Sequence, residues 1–269
     1  MQESSSPRRD DASTVALMYH ALATGDVDAS GSVDPHYRLA ADEFRAQLGL
    51  FRAHAGGAAS VRRWLDGACA GAVLVTFDDG HASDYHAAFP LLAEAGASAD
   101  FFVNPERVGT PGYATWAQLR EMADAGQSIQ SHGYRHRYFT EFAPAELAEE
   151  LRRARLVIEE RIGHRVTLLA PPGGRMPSGL AALARECGYE RVLSSQPGRL
   201  HAGNTDVVLP RLAVTADVAP ATLRRWVEGA ATDIGRARLR YATLGFAKRV
   251  LGDRRYERLR ARLLGQPTQ

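Results

Sequence analysis

Apolar residues along the chain fall into short runs separated by stretches of helical spacing. The runs VALMY (15–19), AVLVTF (72–77), ADFFV (99–103), QSIQS (127–131), RVTLLA (165–170), ERVLSS (190–195) and VVLPRLAV (207–214) have the length of buried strands. Between them lie amphipathic segments. ADEFRAQLGLFRAH (41–54) spaces Phe44, Leu48 and Phe51 for one helix face, and SDYHAAFPLLAEAG (83–96) stops at Gly96. TWAQLREMADAG (115–126) offers Thr115 as an N-cap and Gly126 past the end. APAELAEELRRARLVIEERIG (143–163) carries Pro144 in its first turn, and further helices are predicted near 177–187 and over 219–235. About seven strands alternating with helices imply an α/β fold with parallel strands and right-handed crossovers. An open doubly wound sheet and a closed barrel both satisfy this pattern, and in both the chemistry sits on loops at the C-terminal ends of strands.

Composition adds limits. A chain of 269 residues with 45% hydrophobic and 24% charged residues can build a sizeable core. Residues 1–13, with three serines in a row and Pro7, read as a disordered lead-in, and 24–36 as a Gly/Asp/Ser-rich loop. Residues 236–265 hold ten Arg/Lys against two acids and read as a basic helix outside the main fold. Weak association of this tail with an anionic membrane surface is expected, and no nucleic-acid partner. Cys69 and Cys187 stand 118 positions apart, which is neither a disulfide framework nor a zinc ribbon, so both are expected reduced. No apolar run approaches the ~20 residues that span a bilayer. The N-terminus lacks the apolar core of a secretory signal, so a cytoplasmic location is expected. No GxGxxG follows the first strand, which counts against a dinucleotide site.

Two motifs carry the chemistry. TFDDG (76–80) ends an apolar strand in two carboxylates and a turn glycine. Where the chain bends, both side chains can reach one site in different roles, although an Asp-Gly turn alone would look the same. SHGYRH (131–136) begins at another strand end and sets His132 and His136 four apart. Two imidazoles and one carboxylate form a known catalytic zinc set with positions open to water and substrate. Their joint occurrence at strand ends is harder to explain as turns.

TFDDG followed some fifty residues later by SHGYRH resembles the polysaccharide deacetylase (NodB-homology) family, carbohydrate esterase family 4, and VALMYH (15–20) resembles the first strand of many members. The resemblance spans roughly residues 14–215. It implies a distorted (β/α)7 TIM-like barrel over 14–217, followed here by a basic helical C-terminal extension over 218–269. It implies a divalent metal, zinc in most members, held by Asp79, His132 and His136, with Asp78 as catalytic base. It implies hydrolysis of the N-acetyl group of an N-acetylated sugar. The metal would polarise the carbonyl and acidify water, and Asp78 would take the water's proton.

The sequence departs from the family in two places. In LAPPGGR (169–175), Pro172 and Gly174 fit the third motif, but Ala170 stands where an Arg pairs with the base, and Gly173 where an aromatic stands. The Gly173 N–H is expected to face the oxyanion. The final strand, LPRLAVTAD (209–217), has no histidine for the acid, and His201 in a nearby loop is the nearest candidate. A buried Asp78 without a cationic partner would tend to be protonated. Arg211 is therefore expected to pair with Asp78, with Arg175 as the fallback. His20 at the end of the first strand, Pro172 and Tyr134 are expected on the substrate side, with Trp116 and Tyr138 as further stacking candidates. Two other readings are a hydrolase of a small linear or cyclic amide on the same fold, and a non-catalytic sugar-binding barrel.

Overall fold

The computed structural model describes residues 13–23, 33–53 and 56–251, with backbone only over 244–251. The lead-in (apart from Ser13, which is paired in a strand), most of the 24–36 loop and the end of the basic tail lie outside the described residues. Eight parallel strands form the main sheet: β1 (Ala16–Tyr19), β2 (Val73–Phe77), β3 (Asp100–Val103), β4 (Ser128–Ser131), β5 (Leu168–Leu169), β6 (Arg191–Leu193), β7 (Val208–Leu209) and β8 (Leu212–Ala213). Their spatial order is β7-β6-β5-β4-β3-β2-β1-β8, with the short strand Ala58–Ala59 added beside β2.

The two ends of that order are neighbours in the chain. Val208 and Leu209 pair with β6, while Leu212 and Ala213 pair with β1, so one extended stretch serves both edges and the sheet curls into a distorted barrel. The stretch predicted as a single strand over 207–214 is split at Pro210, which has no N–H to continue a ladder. The Arg211 N–H next to it turns to the Gln196 carbonyl at 3.1 Å.

Helices α1 (Ala41–Arg52), α2 (Val61–Leu65), α3 (Phe89–Ala95), α4 (Trp116–Asp124), α5 (Pro144–Ile162) and α6 (Leu180–Glu186) connect the strands, and α7 (Pro220–Val227) and α8 (Ala231–Leu251) follow the last one. The local signals act as the physics requires. Thr115 and Gln118 form a reciprocal capping box on α4, and Gly96 closes α3 in the left-handed conformation. The first turn of the segment predicted as a helix from 83 is a π-helical turn, Asp84–Ala88.

Alternation along the strands divides the core. Val73, Val75 and Phe77 of β2 pack outward with the helices, while Leu74 joins Ala16, Phe102, Leu168, Leu193 and Leu209 in the second, inner cluster. The C-terminal helices are not detached. Leu223, Trp226 and Ile234 are buried in the helix-facing core. No helix among the described residues is long and apolar enough to cross a membrane.

Candidate active site

The alternation that sends Leu74 inward also sends Thr76, and then Asp78 just past the strand, to the same side. Leu209 and Arg211, two apart in the extended stretch from β7 to β8, share the inner side in the same way. The consequence is a buried fork. Arg211 Nη1 donates to Asp78 Oδ1 at 2.7 Å and Nη2 to Oδ2 at 2.8 Å, with the arginine fully buried and Asp78 3% exposed. The guanidinium is itself held: Nε donates to the Ser194 carbonyl, Nη1 to the Thr76 hydroxyl, and its carbon lies 5.4 Å from the Phe102 ring centroid. Ala170, at the position of the missing family arginine, is fully buried in the inner cluster.

Next to this pair, Asp79 Oδ1 lies 2.8 Å from His136 Nε2 and 3.3 Å from His132 Nε2. One potential ligand atom from each of the three residues lies within 4.8 Å of the others, a spacing that could hold a metal ion. Asp79 and His136 both have positive φ, 80° and 53°, an uncommon conformation outside glycine that concentrates at functional sites. Gly80 follows at φ 71°, where a Cβ would lie 3.0 Å from Val103 Cγ1, so the Asp-Asp-Gly turn needs its glycine.

The histidine loop is clamped from two sides. Asn104 Nδ2 donates to the carbonyls of His132 and Gly133 at 2.6 and 3.2 Å. Glu150 of α5, 2% exposed, accepts the N–H groups of Tyr134 and Arg135 at 2.9 and 2.7 Å on one oxygen and Arg135 Nε at 2.9 Å on the other. Neither clamp was legible in the motifs, because each lies on a different element from the histidines.

Asp78, Asp79, His132 and His136 line one cleft of about 840 Å³. His20 and Gly173 are on its wall, as expected from their strand-end positions, and Gly173 sits at φ 60° under Tyr138. Four residues stand elsewhere than expected. Pro172 is buried and off the cleft wall, where it shapes the turn that presents Gly173. Tyr134 points away from the cleft, accepts from Arg153 Nη2 at 3.0 Å and stacks under that guanidinium; Tyr138 occupies the wall instead. His201 is exposed on a strand paired with Ser13–Thr14, outside the cleft, and Arg175 lies over the Tyr138 ring rather than on Asp78. The cleft also takes in residues that no motif flagged: His36, Tyr37, Thr215 and Asp217, and from α7 and α8 Arg225, Trp226, Arg236, Arg240 and Tyr241.

The electrostatics separate five carboxyl and imidazole groups. Burial pushes the Asp78 carboxyl up, but Arg211 and then His132 outweigh it and hold the pKa below the ordinary range. For Asp79, burial is outweighed by hydrogen bonds from His132 and His136, and its pKa lies well below the ordinary value. Burial lowers His20 and His136 against the pull of the aspartates. Asp84 goes the other way: burial, then the charges of Asp79 and Asp78, raise it well above the carboxylate range, and neither of its oxygens has a hydrogen-bond partner among the described residues. Burial and the neighbouring aspartates thus both favour its neutral form.

Comparison with known proteins places residues 67–192 in a match to the family described as polysaccharide deacetylase. That segment contains Asp78, Asp79, His132 and His136, but neither His20 nor Arg211. The chain is 26% identical over 156 residues to the polysaccharide deacetylase YxkH of Bacillus subtilis, covering 58% of this chain and 56% of that protein. It is 29% identical over 124 residues to a peptidoglycan-N-acetylglucosamine deacetylase of Bacillus cereus, covering 46% and 56%. The match thus spans about 56% of the length of each of these relatives. Among solved structures, the Streptococcus pyogenes deacetylase PplD, determined with acetate, superposes with a TM-score of 0.69 at 22% identity over 81% of this chain and 99% of that one. IcaB from Ammonifex degensii superposes with a TM-score of 0.64 at 24% identity over 81% and 98%. At these identities the structural likeness concerns the fold.

Proposed function

We propose, from the match of residues 67–192 to the polysaccharide deacetylase family, that the cleft hydrolyses the N-acetyl group of an N-acetylated carbohydrate, releasing acetate and the free amine. The observation that carries the proposal is the Arg211–Asp78 fork, which presents Asp78 on the wall of the cleft beside the Asp79–His132–His136 cluster.

Two imidazole nitrogens and a carboxylate oxygen already face one another, a donor set that suits a divalent ion such as zinc. Bound by Asp79, His132 and His136, such an ion supplies Lewis acidity toward the acetamide carbonyl and toward water. The remaining chemistry falls to the chain. Arg211 keeps Asp78 ionised and aims it, so the carboxylate takes the proton of the attacking water. The Gly173 N–H, on the same wall, is the candidate donor to the developing oxyanion. No histidine lies on the final strand to protonate the leaving amine. A carboxyl held below its ordinary pKa gives its proton up readily, so Asp78 returns to the amine the proton it took from water. His20, with Nδ1 lacking a partner among the described residues, is placed to hydrogen-bond the substrate.

The test is release of acetate and free amine from N-acetylglucosamine oligomers by zinc-loaded protein. Asp78→Asn is expected to lower turnover by about 10²-fold or more while keeping the metal. His132→Ala is expected to lose metal and activity together. Loss of metal in Asp78→Asn would show the two roles exchanged. Turnover of other amides with none of N-acetylated sugars would replace the substrate class.

A further inference from the structure

Whether a long substrate lies across a site or enters it end-on depends on the rim. A polymer bound through an interior unit leaves the site on two sides, so the walls must part twice. Around this cleft, neighbouring rim segments touch one another in a closed ring. After β4, the Tyr138 ring packs on the turn after β5 so closely that a Cβ on Gly173 would lie 2.6 Å from its Cε1. A Cβ on Gly174, next in that turn, would lie 2.7 Å from Ser195 Oγ after β6. Arg238 of α8 donates from Nε to the Pro197 carbonyl at 2.9 Å, and Arg240 reaches Asp217 after β8 at 3.4 Å. The Ala216 N–H beside Asp217 donates to the His36 carbonyl at 2.9 Å, and the Tyr37 ring lies 4.3 Å from that of His20 at the end of β1. The ring closes where the Asp78 N–H donates to the Tyr19 carbonyl at 2.9 Å and Asp79 meets His136 at 2.8 Å.

The C-terminal helices, which lie beyond the family match, add height to this ring. They are not a loose flap. Leu223 and Trp226 of α7 and Ile234 of α8 are buried in the helix-facing core, and Arg225 Nε holds Asp233 at 3.0 Å across the turn between the helices. From this footing Arg240 and Tyr241 line the outer cleft. The Arg240 side chain is 66% exposed, whereas Asp78 and His132 are 3% and 2% exposed, so the reactive groups lie at the bottom of a well. Its volume of about 840 Å³ is within the roughly 300–1,000 Å³ of pockets that enclose one small ligand.

We propose that the cleft admits its substrate end-on and acts on one terminal unit, so that the substrate is a short N-acetylated saccharide or the end residue of a longer one, not an interior unit of a polymer. The bond cleaved rests on the deacetylase reading, while the end-on geometry rests on the ring and the depth of the well.

The full, zinc-loaded chain is incubated with the trimer and hexamer of N-acetylglucosamine, and the free amines are mapped along each product by mass spectrometry. The first amine is expected at an end unit, and kcat/KM per chain is expected to agree within about threefold between trimer and hexamer, because units outside the well add no contact in the transition state. Amines on interior units, or a kcat/KM that climbs about tenfold with length, overturn the proposal. Arg240→Ala/Tyr241→Ala unlinks the ring at Asp217 and lowers the wall, and is expected to add interior amines on the hexamer. The native product pattern in that variant, folded by circular dichroism, overturns the part given to α8. Calorimetry on zinc-loaded Asp78→Asn separates binding from turnover. Affinities for trimer and hexamer are expected to agree within about threefold, and a rise of about tenfold with length overturns the end-on geometry whether or not acetate is released. Equal binding with no acetate released by the native chain leaves the well standing and removes the deacetylase reading. Neither binding nor release with either sugar overturns both.

Discussion

Arg211 has no exposed surface, a state that arginine reaches only when its charge is paired. Its removal should leave burial as the main influence on Asp78, so the carboxyl pKa should rise. The protonated, inactive form then persists to higher pH, and the acidic limb of kcat/KM should move to higher pH in Arg211→Met, with turnover at neutral pH down about tenfold or more. The same variant should lose about 3 kcal/mol or more of stability, because an unpaired charge stays buried. Adding Asp78→Asn should return part of it, and a double-mutant cycle by denaturant unfolding measures the coupling. An unmoved pH profile would take Arg211 out of the reaction. The pairing was foreseeable because Ala170 leaves the base without a partner, which sends the search to the other strands. The face on which Arg211 would point was not foreseeable, since one residue's slip in a strand reverses it.

Glu150 shows how an element one layer away holds the reactive loop. It sits in the middle of α5, where its carboxylate replaces water for two backbone N–H groups between the histidines. Glu150→Gln keeps one carbonyl acceptor and loses the charge, so the loop should persist with weaker order. Zinc affinity, measured against a chelator, should fall roughly tenfold, in the range seen when outer partners of ligands are removed. Glu150→Ala should fall further, and unchanged affinity in both would reduce Glu150 to a helix residue. Asp100 of β3 caps the neighbouring α2 by accepting the N–H of Val61 at 2.5 Å and of Arg62 at 3.4 Å. Burial nevertheless pushes its pKa up to about 6, against 3.8 in an ordinary chain. A raised carboxyl pKa means that the folded state prefers the proton. That contribution is complete below pH 3.8 and is lost as pH rises through about 6. Native stability relative to Asp100→Asn should therefore fall by about 3 kcal/mol between pH 4 and pH 7. Thermal melts of both proteins across that range check the sign. Strands and helices were readable because their periods of 2 and 3.6 are local properties. The π-helical turn at Asp84 and the break at Pro210 were not, since each depends on what the chain meets from other elements.

Across the whole molecule, the candidate metal cluster was legible and the cleft around it was not. Asp79, His132 and His136 announce themselves by spacing at strand ends. His36, Asp217 and Arg240 carry no signal of their own and come to line one cleft only when the barrel curls and α8 folds back over its mouth. The same helix leads into the basic tail, whose residues 252–269 hold five more arginines. We expect them to favour an anionic surface, each contributing ~1 kcal/mol close to it. Sedimentation with anionic vesicles should fall about tenfold when residues 252–269 are removed, and partitioning onto neutral vesicles should be low for both proteins. Equal sedimentation with anionic vesicles would refute this role.

The split last strand also sets an order of events in time. Residues 208–213 are the stretch that joins β6 to β1, and Arg211 is 133 positions from the carboxylate it grips. While the chain emerges from a ribosome, the Asp-Asp-Gly turn and the histidine loop are both made well before that stretch appears. Until then, β1 and β6 each present a bare edge, and Asp78 faces the interior without its counter-charge. Long-range closure of this kind is the slow part of folding. The proposed base is thus assembled last, by the same step that joins the two edges of the sheet, so an incompletely folded chain would hold its candidate metal ligands with Asp78 still unpaired.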